Sequence, residues 1–279
     1  MLKNCYGLKR FSLTLFRIAF LIFSIWITAC GTLRNGHRWA EDATLLPGWK
    51  RLGNAAVHAA SSPYTWVPVS GAVALQFGHM DKNLSDWAVD HTPVFSSPSQ
   101  ASRASDTIRK TSDIILYISM LTTPSGDEPV PWLVSKAKGC AVDFAALALT
   151  EQSVTLLKNS TQRNRPDGSD NLSFPSSHAS GTSLNATLAC RNVQCMHLPA
   201  VIQTAAGIGL TGLSLLGAWG RVEGGVHYPS DVLAGLALGH FAGVFFQDAF
   251  LGIETAEFSF EPALYNEGFI LTVSWKFKN

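Results

Sequence analysis

The stretch PWLVSKAKGCAVDFAALALTEQSVTLLKNSTQRNRP, residues 131–166, decides the reading of the fold. From Pro131 to Leu157 it reads as one long helix, and from Lys158 it leaves that helix as a loop dense in cations. Lys136, Lys138, Asp143 and Glu151 sit at separated points along the helix, where hydrocarbon would make each of them costly. That argues for a water-soluble bundle. Upstream, residues 68–89 read as helix with a break near His79–Asn83, and residues 106–121 as another, apolar at Ile108, Ile114, Ile115 and Ile118. The loop from Thr122 to Pro129 ends it. Downstream, residues 199–220 and 231–250 are long, apolar and rich in Ala and Gly, as buried central helices of a bundle are. The tail changes period. Phe269, Leu271, Val273, Trp275 and Phe277 alternate with other residues at strand spacing, and Asn266-Glu267-Gly268 supplies a turn. The expected fold is an all-α bundle with a short C-terminal β-hairpin over residues 256–279, packed on the bundle or meeting an outer-membrane partner.

The chain has 279 residues, of which 47% are hydrophobic, so one domain with a sizeable core is expected. The formal charge of +1 hides an asymmetry. Lys3, Lys9, Arg10 and Arg17 precede the apolar run IAFLIFSIWI, residues 18–27, and without residues 1–29 Lys+Arg falls from 21 to 17 against 20 Asp+Glu, about −3. Such a balance gives no electrostatic case for nucleic acid. A basic flank and a short apolar run have the shape of a signal peptide. Ile27-Thr28-Ala29-Cys30 resembles the lipobox of bacterial lipoproteins, which implies cleavage after Ala29 and lipidation of Cys30. Gly31 after that cysteine reads as an outer-membrane address on the periplasmic side of the envelope. Residues 30–62 lack clear periodicity and are expected to be the anchor and a tether with short helices; residues 63–255 then form the helical domain. Export means an oxidising compartment, in which Cys190 and Cys195 are candidates for a disulfide across ACRNVQCM, and Cys140 reads as buried.

Three short segments concentrate polar groups: Lys158 to Pro166, Phe174-Pro175-Ser176-Ser177-His178, and Arg221 to Asp231. Lys158, Arg165 and Arg221 are cations at expected helix ends, and arginine offers a planar fork to phosphate oxygens. Ser176 can cap a helix whose first N–H groups, Ser177 among them, face an anion together with the helix dipole. Asp231 lies four residues after His227 and can fix which ring nitrogen stays free. His178 can protonate a leaving group. Arg163 is a candidate extra phosphate contact, and Asp167 and Asp170 read as braces of the loop. One anion pocket, one oriented nucleophile and one acid make a phosphoryl-transfer set. No His/Cys/carboxylate cluster suited to a metal is visible, and no cofactor is expected.

These segments resemble the three-part signature of the type 2 phosphatidic acid phosphatase superfamily, which includes bacterial class A acid phosphatases and shares its helical core with vanadium haloperoxidases. Lys158 through Arg165-Pro166 matches the first part in spacing; Pro175-Ser176-Ser177-His178 matches the second, with Ser177 for Gly; Arg221, His227 and Asp231 match the third, with Gly220 for its leading Ser. The signature spans about a quarter of the chain. The resemblance implies a metal-independent phosphatase acting on a lipid phosphate or small phosphoester. In it His227 becomes phosphohistidine, Asp231 orients it, His178 is the acid, and Lys158, Arg165, Ser176, Ser177 and Arg221 hold phosphate. Two alternatives go with it. One is a vanadate-dependent haloperoxidase, since vanadate can sit where phosphate sits. The other is a non-catalytic outer-membrane scaffold acting through its C-terminal strand.

Overall fold

In a computed structural model of the protein, residues 29–253 are described with their side chains, and beyond them only the backbone of residues 258–265 and 268–275. The expected signal peptide, save Ala29, lies outside the described residues. Eight α-helices follow one another among the described residues: α1 (Gly48–Ser61), α2 (Pro63–Ala74), α3 (Met80–His91), α4 (Pro98–Thr122), α5 (Pro129–Thr161), α6 (Ser177–Cys195), α7 (Ala200–Glu223) and α8 (Pro229–Phe246). Proline in the first turn opens α2, α4, α5 and α8, where its missing N–H has no helical partner to lose. The expected break after α2 is a 3-10 turn, Phe77–His79, with Gly78 and His79 in left-handed backbone at φ 60° and 63°.

Helix α6 is central, buried at every position from Ala179 to Ala189, and it packs most extensively on α8. Gly235, Gly239 and Gly243, one turn apart on α8, make that contact possible. A Cβ on Gly239 would stand 2.1 Å from the Ser180 carbonyl oxygen, and one on Gly235 would stand 2.6 Å from that of Ser176. The two backbones therefore touch, and the starts of α6 and α8 are brought side by side. Gly220 on α7 is a packing residue in the same sense, since a Cβ there would meet the Ala101 carbonyl oxygen at 2.9 Å. A serine at that position would have no room.

The helices define two poles. At one lie the C-terminal ends of α5 and α7 and the N-terminal ends of α6 and α8. At the other, residues 29–47 are stitched to neighbouring connections: Trp39 N–H donates to the Pro124 carbonyl, Arg34 N–H to Cys195 and Thr44 N–H to Phe250. Trp39 is fully buried and lies against Gly139 of α5. The tether expected over residues 30–62 is thus corrected. That segment contributes to the core, and α1 packs on α8.

The expectation of a water-soluble bundle is also corrected. Hydropathy does not say which way a charge points, and Lys136 and Asp143 point inward. Lys136 Nζ donates 2.7 Å to the Met120 carbonyl, and Asp143 accepts 3.2 Å from Gln247. The outward face of α5 carries Leu133, Phe144, Leu149 and Leu156, and that of α7 carries Val201, Ile208 and Leu215. Among the described residues three helices, Pro129–Thr161, Ala200–Glu223 and Pro229–Leu251, are long and apolar enough to cross a membrane.

Cys190 and Cys195 are not joined by a disulfide. Both lie on α6, where five residues turn the helix by about 140° beyond one full turn, so their side chains diverge. Phe258–Tyr265 and Gly268–Trp275 trace two antiparallel segments whose side chains lie outside the described residues, as does the rest of the expected hairpin over 256–279.

Gly239→Ala is expected to destabilise the fold by about 1–3 kcal/mol or more through overpacking, read as a lower thermal midpoint. Gly209→Ala on α7, where a Cβ meets nothing within 4 Å, should leave the midpoint unchanged or raise it. Equal midpoints for the two variants would contradict the backbone contact.

Candidate active site

The connection between α7 and α8 turns at Gly225 and folds back, so that the N–H groups of Val226 and His227 both donate 3.2 Å to the Arg221 carbonyl. This buries the His227 ring. Arg165 Nη1 lies 3.3 Å from His227 Nε2. A guanidinium can only donate, so Nε2 carries the lone pair and Nδ1 the proton. Nδ1 faces Asp231 Oδ2 at 3.8 Å, too long for a hydrogen bond, and has no other partner among the described residues. Burial pushes the His227 pKa below its ordinary value. Asp231 opposes that push and the Arg165 charge adds to it.

Asp231 is fully buried in the first turn of α8, where a carboxylate complements the helix dipole. Its Oδ2 accepts from the Tyr228 N–H at 2.9 Å and the Ser173 hydroxyl at 2.5 Å, and its Oδ1 accepts from Arg163 Nη1 at 2.6 Å. Arg163 also donates to Ser230 Oγ at 2.7 Å and, through Nη2, to Asp81 Oδ2 at 2.6 Å, while its plane lies 4.3 Å from the Tyr228 ring centroid. The expectation of Arg163 as a phosphate contact is corrected: two carboxylates take up its fork.

Around His227 stand the other expected groups. Arg165 is held by Asp170 Oδ1 at 2.7 Å and by the Val226 carbonyl at 3.1 Å, so Asp170 braces the loop. Lys158 Nζ donates to the Leu172 carbonyl. Ser176 caps α6, accepting from the Ala179 N–H at 3.4 Å, and its own N–H donates 3.0 Å to the Asp231 carbonyl. Ser177 is the first residue of α6. Arg221 donates 3.2 Å to Asp106 Oδ1, and its Nε is buried with no hydrogen-bond partner among the described residues. His178 Nε2 lies 2.9 Å from the same Asp106 oxygen. The His178 pKa is lowered to about 4, chiefly by burial; the Arg221 charge acts in the same direction and Asp106 opposes both.

All eight residues singled out from the sequence thus belong to one pole. Sequence reasoning missed Asp81, which precedes them by about 80 residues, and Asp106, on α4. Neither has a spacing to a motif that could have marked it. Ser173, one residue before the second segment, was within reach as a hydroxyl beside a cluster of ionisable groups. Among the described residues no group of three or more His, Cys, Asp or Glu is arranged to hold a metal ion. The positive charge here comes from Lys158, Arg165 and Arg221.

The His178 ring has a folded pKa of about 4 against an ordinary 6.5, so the fold favours its neutral form. Its contribution to stability is complete above about 6.5 and is lost as pH falls towards 4. In an NMR titration the ring should titrate near pH 4 in the free protein and higher with bound vanadate, because an oxyanion offsets the Arg221 charge. A midpoint near 6.5 in the free protein would contradict this electrostatic account.

Comparison with known proteins is consistent with the geometry. The PAP2 superfamily profile matches residues 142–250. No curated protein matches the chain. Among solved structures, the first transmembrane PAP2 type phosphatidylglycerolphosphate phosphatase from Bacillus subtilis is similar, with a TM-score of 0.50 at 18% identity, covering 68% of this chain and 94% of that one. At that identity the likeness concerns the fold.

Proposed function

We propose that the chain, whose residues 142–250 match the PAP2 superfamily profile, is a phosphatase working through a phosphohistidine on His227. The observation that carries this reading is the His227 ring itself: buried, with the Nε2 lone pair facing Arg165 and Nδ1–H facing a buried carboxylate. Nε2 attacks phosphorus, the bond from phosphorus to the ester oxygen breaks, and His178 gives that oxygen a proton. Water then attacks phosphorus, His178 takes its proton, and the P–N bond breaks to release phosphate. His227 is positive while phosphorylated, and the 3.8 Å gap to Asp231 closes to a charge-assisted bond at that stage. Lys158, Arg165, Arg221 and the first N–H groups of α6 stabilise the spreading negative charge. His178 must be protonated to act as acid. Phosphate bound against Arg221 supplies the upward shift from about 4 that this requires.

For substrate we infer a phosphorylated lipid in preference to a small soluble ester. A groove between α2 and α8, lined by Val69, Val73, Phe174, Ala234 and Phe241, reaches Arg163 and Ser230 beside the site and suits acyl chains. The apolar outer faces of α5 and α7 fit a bundle set in a bilayer. On α5 the outward Lys138 and Glu151 bound an apolar band of about 20 Å, at 1.5 Å per residue. A lipid on Cys30 enters at the pole opposite His227, so the catalytic pole faces away from that anchor. The C-terminal hairpin and any outer-membrane partner for it remain part of this proposal.

Phosphate release from phosphatidic acid in mixed micelles should be insensitive to EDTA and fall by at least about 1,000-fold in His227→Ala, as expected for loss of a covalent nucleophile. Activity that survives this change excludes His227 as the nucleophile. Protein lacking residues 1–29 should stay in the membrane fraction after a carbonate wash; its release would contradict a bundle set in the bilayer.

A further inference from the structure

We propose that Asp81 is a positioning residue for this reaction, acting through Arg163 as a clamp on Asp231; the inference rests on the phosphatase reading above. Asp81 lies in the first turn of α3, one residue beyond the left-handed Gly78–His79 corner, and its side chain is buried. Both its oxygens are committed. Oδ1 accepts from the Ser230 N–H at 2.8 Å, and Oδ2 accepts from the Ser230 hydroxyl at 2.5 Å and from Arg163 Nη2 at 2.6 Å. The hydroxyl has one proton, given to Asp81, so Arg163 Nη1 donates into its lone pair. The same Nη1 reaches Asp231 Oδ1 at 2.6 Å.

This arrangement does two things for the nucleophile. It fixes the rotation of the Asp231 carboxylate, since Oδ1 is tied to Arg163 while Oδ2 is tied to Ser173 and the Tyr228 N–H. It also sets the charge. Arg163 alone would neutralise Asp231, whereas Arg163 shared with Asp81 leaves one net negative charge beside a histidine that must become positive. No part of the clamp touches the Nε2 side of His227, where phosphate binds, so its loss should slow the chemistry and spare binding.

The test is steady-state kinetics on full-length Asp81→Asn, Arg163→Lys and the double variant, normalised to folded protein, with vanadate inhibition measured alongside. Asp81→Asn should lose about 10- to 100-fold in kcat, as for a group misplaced by a fraction of an ångström, with KM and vanadate affinity within about threefold. Arg163→Lys keeps the charge and removes the fork, and should lose kcat similarly. The double variant should be no worse than the poorer single one, because the residues act as one unit. Asp86→Asn, in an exposed pair with Lys82 on the same helix, is the neutral control. Unchanged kcat in Asp81→Asn, a loss carried by KM, or multiplying effects in the double variant would overturn the clamp. If the wild type hydrolyses no phosphoester, the phosphatase reading fails by itself. The clamp is then read from the 15N shifts of the His227 ring, which Asp81→Asn should change and which, unchanged, would overturn it.

Discussion

The contact between the backbones of α6 and α8 is the constraint on which the rest depends. Gly235 and Gly239 set the α8 backbone against that of α6, Gly243 makes room for Thr187, and Ser176 and Asp231 become neighbours joined by a backbone hydrogen bond of 3.0 Å. Two helix starts then point the same way into one small volume, and the ends of α5 and α7 bring their cations to it. Bulk at any of the three glycines would separate the first turn of α6 from His227 before any polar group of the site was altered.

Within that frame the site is a problem of buried charge. A buried histidine is disfavoured as a cation, yet the proposed chemistry makes it one. Asp231 answers this, but a buried carboxylate needs its own partners, and it has the α8 N-terminus, Ser173 and Arg163. Arg163 in turn needs more than one carboxylate to keep the balance negative, and Asp81 supplies the second. Each layer of polar groups solves the desolvation problem created by the one inside it. On the other side of the ring, the Arg165 guanidinium faces Nε2, whose lone pair the proposed attack uses.

Much of the fold was legible because helix ends and motif spacings are local properties. The break after α2, the long α5 and the polar pole all follow from residues within a few positions of one another. What the sequence did not yield is relational. Lys136 and Asp143 read as charges that hydrocarbon would reject, and only the rotation of α5 shows that they face the core. Residues 30–47 carry no period because Trp39 and its neighbours fit against a glycine on α5 rather than along a face of their own. Cys190 and Cys195 looked close in sequence, and α6 turns them apart. Asp81 and Asp106 reach the site from distant helices, where no pattern marks a carboxylate as anything but a solvated charge.

The proposed mechanism requires His227 to carry phosphate covalently. Rapid mixing with a 32P-labelled lipid phosphate, followed by an alkaline quench and peptide mapping, tests it most directly. The expected label is stable to alkali, labile to acid and carried on the peptide containing His227, with none in His227→Ala. Phosphate turnover with no trapped label, or label on another residue, would contradict it.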